Sequence, residues 1–379
     1  MAHLLGVATA VALGALAAPP EPDRSCATFL MARGDRVIVG HNLDEAMAVP
    51  GLLVVNPRGL AKENRTFDDV ESSRRSASAR RLGWVSRYGS LTYNVFGREL
   101  PDGGANEAGL YVGEMTLLST SWPKGGTAAR MYHHQWIQYL LDSFATVDEA
   151  LQSLERALPE GHCRWHFFLA DRGGRAAVVE FSKAGARVYH GEELPYPILC
   201  NDAYAAELLD LRRYAGFGGA RDPAPRYENE DPRFRWAAVA LAARPAGTAV
   251  EEQAFDVLRR LDLGTTKWSV VHDLVRSRVW FRTSVSREVK WVDLSSFDLT
   301  CTATPMALDV HTAGAGDVSG RFAPLGRASN EDAIRRAWAE IDAGFFGNLI
   351  FKPRMVRGQA ETAAATSCAT SAAADPRAP

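Results

Sequence analysis

Cysteine is scarce and poorly spaced for metal: Cys26, Cys163, Cys200, Cys301 and Cys368 are the only five in 379 residues, with no CxxC pair. Zinc-finger spacings are thereby excluded, and a chain this long can bury a core without disulfide help. An odd count leaves at least one thiol unpaired, with a bridge open among Cys163, Cys200 and Cys301. A surplus of one charge is missing too, since 43 Lys and Arg face 45 Asp and Glu. Such a balance gathers neither nucleic acid nor an anionic membrane. The basic run RRSASARR (74–81) has no interleaved aromatics and reads as a solvated loop, so no nucleic-acid partner is expected. Phosphate-cradling frames are absent as well. The glycines of GDRVIVG, DGGANEAG and GFGGARD precede no predicted helix in a GxGxxG or GxxxxGK[ST] pattern, and no cofactor or metal is expected.

Long apolar runs are also lacking. LLGVATAVALGALA (4–17) is too short and too alanine-rich to anchor the chain in a membrane, but its Ala-Leu-Ala ending suits signal peptidase. We read residues 1–17 as a signal peptide, 18–25 as a short propeptide, 26–356 as one catalytic domain and 357–379 as a disordered small-residue tail in which Cys368 is incidental. The expected location is periplasmic or extracellular. The sequence leaves monomer and homo-oligomer both open.

From Cys26 the apolar residues alternate through a Gly34-Asp35 turn, which predicts a hairpin running from CATFLMAR to VIVGHNLD. A hairpin returns the chain to its start, so it brings Cys26 near His41, Asn42 and Asp44. Later, HFFLADRGGRAAVVEFSKAGARVYHG predicts a meander, and MYHHQWIQYLLDSF a helix. Thr146 with Glu149, and Thr248 with Glu251, are spaced as capping boxes. Strands and helices come in separate runs, which points to an α+β layered fold. His133 and His134 are adjacent and cannot share a helix face, while His162 and His166 sit on a predicted strand; all four read as structural.

Cleavage before Cys26 would put a thiol and an α-amine that titrates near neutrality on one residue, which then supplies both nucleophile and base. Alone, a cysteine at a strand start is more often a small buried hydrophobe. The leader, the spacer and the polar cluster one hairpin away shift the balance toward catalysis.

SCATFLMARGDRVIVGHNLDE resembles the start of the choloylglycine hydrolase and penicillin V acylase family of N-terminal nucleophile hydrolases. DGGANEAGL, QWIQYLLDSFATVDEAL, HFFLAD and PILCND continue the likeness in the same order. The resemblance implies a four-layer αββα sandwich and hydrolysis of linear, non-peptide amides in small N-acylated molecules. Relatives act on conjugated bile acids, phenoxyacetyl penicillins, N-acyl homoserine lactones or N-acyl lipids. By the same resemblance Cys26 is the nucleophile, Asp44 the carboxylate at its amine, Asn201 an oxyanion donor and Arg233 a cation near the nucleophile.

Three positions depart from the family pattern. His41 stands where an arginine is usual, exchanging a permanent charge for one that titrates. Thr116 falls at the second oxyanion position, where a backbone N–H can serve instead, and Ala27 replaces the usual threonine. His41 and Asn42 are expected to organise the corner around Cys26, and Trp84, Phe96, Trp122 and Trp136 are candidates for an acyl pocket. The alternatives are an acyltransferase using the same acyl-enzyme, an inactive secreted binding protein of the same fold, or a cysteine hydrolase whose base is His41 or His272.

Overall fold

The computed structural model describes residues 26–369, apart from Ala46, Glu228, Asn229 and residues 244–246. The signal peptide and propeptide read from the sequence lie outside the described residues. The hairpin forms as the alternation dictates: Ala27–Arg33 and Arg36–Asp44 pair antiparallel, from Arg33 opposite Arg36 to Ala27 opposite Asn42. Gly34, at φ +60°, makes the turn that a side chain would strain.

This hairpin lies inside a seven-stranded sheet. Ile198–Leu199 flanks its first strand; Thr266–Asp273, Arg278–Thr283, Lys290–Asp293 and Gly316–Asp317 continue from its second. A nine-stranded sheet carries the predicted meander, Trp165–Asp171, Ala176–Ser182 and Gly185–His190, next to Leu110–Thr116.

The two sheets face each other. The Thr28 hydroxyl reaches Met115 Sδ at 2.9 Å, and the His41 ring stacks on Tyr93 at 5.1 Å between centroids. Alternation in Leu110–Thr116 shows why layers form. Tyr111 and Met115 join the core between the sheets, whereas Leu110 and Val112 pack with Ile137 and Leu140 of the helix His133–Ser143. On the opposite outer face the helix Val250–Leu261 covers the hairpin, where Asn42 Nδ2 donates to the Leu258 carbonyl at 2.9 Å. Helices thus cover both sheets in the order αββα.

Thr146 caps its helix as predicted, its side chain accepting from the Glu149 N–H. Thr248 does not: the helix begins at Val250 after Ala249, with no side-chain cap. The disordered tail expected from residue 357 is corrected more fundamentally over its described part, residues 357–369. A helix runs Lys352–Ala364 with Met355, Val356 and Ala360 buried, so its apolar stripe finds a surface that composition alone conceals. It lies so close to the helix Phe67–Ser72 that a Cβ at Gly358 would fall 1.8 Å from the Val70 carbonyl oxygen. Cys368 is correspondingly not incidental, being disulfide-bonded to Cys301 across 67 residues of chain. Substituting Cys368→Ser is expected to lower unfolding free energy by about 2–4 kcal/mol, measured by urea titration without reductant.

Candidate active site

Strand register assembles this site. Continuing the hairpin pairing one step beyond Ala27 and Asn42 sets Cys26 beside Leu43, with Asp44 one residue further, on the side of the Cys26 backbone nitrogen. On the other flank Thr28 pairs with Leu199, and two more steps bring Asn201 alongside Cys26. The cysteine, itself 1% exposed, therefore sits just before the strand Ala27–Arg33, with Asp44 to one side and Asn201 to the other.

Arg233, the first residue of the helix Arg233–Ala243, spans the gap. Its Nη1 donates to Asp44 Oδ2 at 3.0 Å and its Nη2 to Asn201 Oδ1 at 3.0 Å. Nε donates to Asp231 Oδ1 at 2.8 Å. A planar guanidinium fixes the directions of its N–H groups and so sets where its three partners lie, whereas the donors of an ammonium swing about one bond. Burial alone would raise the Asp231 carboxyl, but hydrogen bonds and charge from Arg233 outweigh it and hold that acid below its ordinary value. Arg233 is shifted upward against its own burial, chiefly by Asp231, and stays charged.

Asp44 differs. Burial pushes its carboxyl up to about 7, although Thr266 and Arg233 both oppose the shift. The Thr266 hydroxyl donates to Oδ1, a contact made where a register shift interrupts the pairing between Thr266 and Trp268. A second cation arriving beside Asp44 would favour its ionised form.

Asn201 is oriented from two directions. Arg233 takes its oxygen, so the amide nitrogen faces the other way and donates to the Thr116 carbonyl at 2.9 Å. One N–H of that amide remains for a further acceptor. Thr116, expected at the second oxyanion position, meets the site through this carbonyl. His166 Nε2 lies 2.8 Å from the carbonyl oxygen of Cys200, one residue before Asn201, and steadies the same strand end.

His41 and Asn42 turn away from this corner. His41 points between the sheets, its Nδ1 2.7 Å from the Thr28 hydroxyl, and burial lowers its pKa to about 3. The expected titrating charge is therefore corrected: this imidazole is neutral at physiological pH because water cannot reach it. Asn42 accepts from Ser269 Oγ at 2.8 Å and donates to Leu258, bracing the outer helix. His272 is likewise lowered to about 3 by burial and by His41. Neither histidine matches a general base working near neutrality.

Beside Leu43 lies a small apolar depression of about 20 Å³, room for little more than one water, lined by Leu43, Val49, Pro50, Val95, Phe96 and Ile341 among others. Of the aromatic candidates only Phe96 lines it. Trp136 is buried in the core beneath the nine-stranded sheet with Trp84 and Trp122 packed against that core, and the Trp84 Nε1 donates to Asp142. Thr266 and Asp231 were not legible as site residues, because their places depend on a bulge and a helix start that spacing does not reveal.

A family model described as linear amide C-N hydrolases, choloylglycine hydrolase family, matches residues 26–235. The chain is 26% identical over 292 residues to a penicillin V acylase of Pectobacterium atrosepticum, covering 64% of this chain and 77% of that one. Its fold is similar to that of penicillin V acylase from Agrobacterium tumefaciens, with TM-score 0.67 and 24% identity, over 79% of this chain and 98% of the other. Similar too is a single-residue variant of conjugated bile acid hydrolase from Clostridium perfringens, with TM-score 0.62 and 14% identity over 76% of this chain and 98% of that one.

Proposed function

Because the chain belongs to the choloylglycine hydrolase family of linear amide C-N hydrolases, we propose that it cleaves N-acylated small molecules with Cys26 as an N-terminal nucleophile and the Cys26 α-amine as base. The observation that carries this reading is the Arg233 bridge, which ties Asp44 and Asn201 together across the two flanks of Cys26.

In the reaction the amine takes the thiol proton as sulfur attacks the amide carbonyl carbon. The carbonyl π pair moves to oxygen, and the remaining Asn201 N–H, with a backbone N–H, stabilises the oxyanion. Collapse expels the leaving amine, which takes the proton from the α-ammonium and leaves a thioester. Water, losing a proton to the same α-amine, then attacks the thioester and releases the acid and the thiol. Asp44 holds the ammonium form and points the amine at the sulfur, while Arg233 keeps Asp44 and Asn201 in place.

The apolar lining of the depression beside Leu43 favours an apolar acyl group as substrate, for which the depression must widen on binding. Export and self-cleavage between Ser25 and Cys26 belong to the same proposal. The Cys301–Cys368 bridge supports export, since disulfides persist in oxidising compartments. The matured protein, assayed on N-acyl amides of increasing chain length beside phenoxyacetyl and bile-acid amides, is expected to release amine from the apolar acyl series. Turnover of none of them would overturn the reading. Val95→Phe, which adds bulk where the depression would have to widen, is expected to cut kcat/KM for the longer acyl groups by roughly tenfold per two methylenes displaced while sparing acetyl.

A further inference from the structure

Outside the two large sheets, Ala129–Tyr132 and Ala157–Glu160 pair in parallel, with Tyr132 opposite Glu160. Parallel strands leave their pairing at the same end, so the next residues on both chains emerge side by side. On one chain that residue is His133, which opens the helix His133–Ser143; on the other the chain continues through Gly161, His162 and Cys163. The turn closes tightly over the histidine: a Cβ at Gly161 would fall 2.1 Å from His133 Cδ2. Cys163 N–H points at His133 Nε2 across a long 3.4 Å.

Aromatic neighbours hold the faces of both imidazoles. His133 packs against Trp165 at 4.4 Å and Tyr132 at 4.3 Å between centroids, and His162 against Phe67 at 5.5 Å. One nitrogen from each ring and Cys163 Sγ lie within 4.8 Å of one another, with His133 and Cys163 buried.

We propose that His133, His162 and Cys163 bind one borderline-soft divalent cation of the Zn²⁺ class, with a fourth position left to water. Two imidazoles and a thiolate suit zinc rather than Mg²⁺ or Ca²⁺, which take oxygen. Tetrahedral bonds of about 2.0–2.3 Å set donors about 3.3–3.8 Å apart, so small side-chain rotations close the set. The weak N–H contact on His133 Nε2 is given up to the metal, and Cys163 loses its proton on binding. The cation clamps the turn before Trp165–Asp171 onto the helix His133–Ser143. Trp165 is paired with Thr116, whose carbonyl holds Asn201, so the clamp fixes the strand ends behind the candidate active site. Sequence spacing hides this set, because parallel pairing rather than a short repeat brings His133 to Cys163.

The test uses full-length protein without an affinity tag, in a Cys26→Ala background so that the proposed nucleophile supplies no thiolate signal. After chelation and removal of the chelator, Co²⁺ is titrated in. The expected result is saturation at one Co²⁺ per chain, with tetrahedral d–d bands and a thiolate-to-cobalt charge-transfer band, all displaced by Zn²⁺. Cys163→Ser should abolish the charge-transfer band, and His162→Ala should weaken binding by more than about tenfold. Because the spectrum of the parent protein already reports thiolate ligation, misfolding of a variant does not rescue the idea. Absence of saturable binding, or a charge-transfer band unchanged in folded Cys163→Ser, would overturn it. Neither readout involves amide turnover, so failure here is separable from failure of the hydrolase reading.

Discussion

Cys26→Ala is expected to fold as the parent does and to lose amide hydrolysis by roughly 10⁴-fold or more. Cys26 precedes the strand Ala27–Arg33 with a side chain barely larger than alanine's, so its removal costs little packing. What it removes is the sulfur, for which no neighbour substitutes: His41 and His272 are buried and neutral, and Cys200 is buried with its thiol pushed well above the usual range, first by burial. The assay is amine release from an N-acyl amide, paired with thermal unfolding to confirm the fold.

If the leader stays attached in this variant, no α-ammonium faces Asp44, and the carboxyl retains its raised pKa of about 7 against an ordinary 3.8. A raised acid favours the folded state below its unfolded pKa, and that advantage fades as pH climbs from about 4 to 7. Each pH unit within this window is worth at most about 1.4 kcal/mol. Adding Asp44→Asn should flatten that slope in urea titrations, whereas an unchanged slope would show that Asp44 titrates normally.

Arg233→Met is expected to be the most damaging single change to the site's architecture. It leaves Asp44 and Asp231 without their shared cation, and breaking a buried ion pair by removing one partner costs about 3–5 kcal/mol. Asn201 loses the contact that orients its amide, so kcat should fall by about 10²–10³ with a smaller change in KM. Arg233→Lys keeps the charge but not the three-way fork, and should restore stability better than rate. Urea titration and steady-state kinetics check both; wild-type kcat in Arg233→Met would remove Arg233 from the account.

The hairpin, the meander and the layered α+β fold could be read from the sequence because alternation and turn glycines act locally. The closeness of Asp44 to Cys26 followed from the hairpin alone. Asn201 and Arg233 came only through family resemblance, since strand register across 175 residues of chain has no local signature. His41 was misread as titrating because exposure, not residue type, decides whether an imidazole gains a proton. The C-terminal helix was missed because alanine-rich composition looks weak until Gly358 lets it approach the helix Phe67–Ser72.

The most direct test of the central claim is the intact mass of the catalytically active protein, before and after a brief quench with an N-acyl substrate. A chain that begins at Cys26, and gains the acyl mass on Cys26 in the quench, is the result the account predicts. Full activity in a protein that still carries Ser25 or any earlier residue would contradict it.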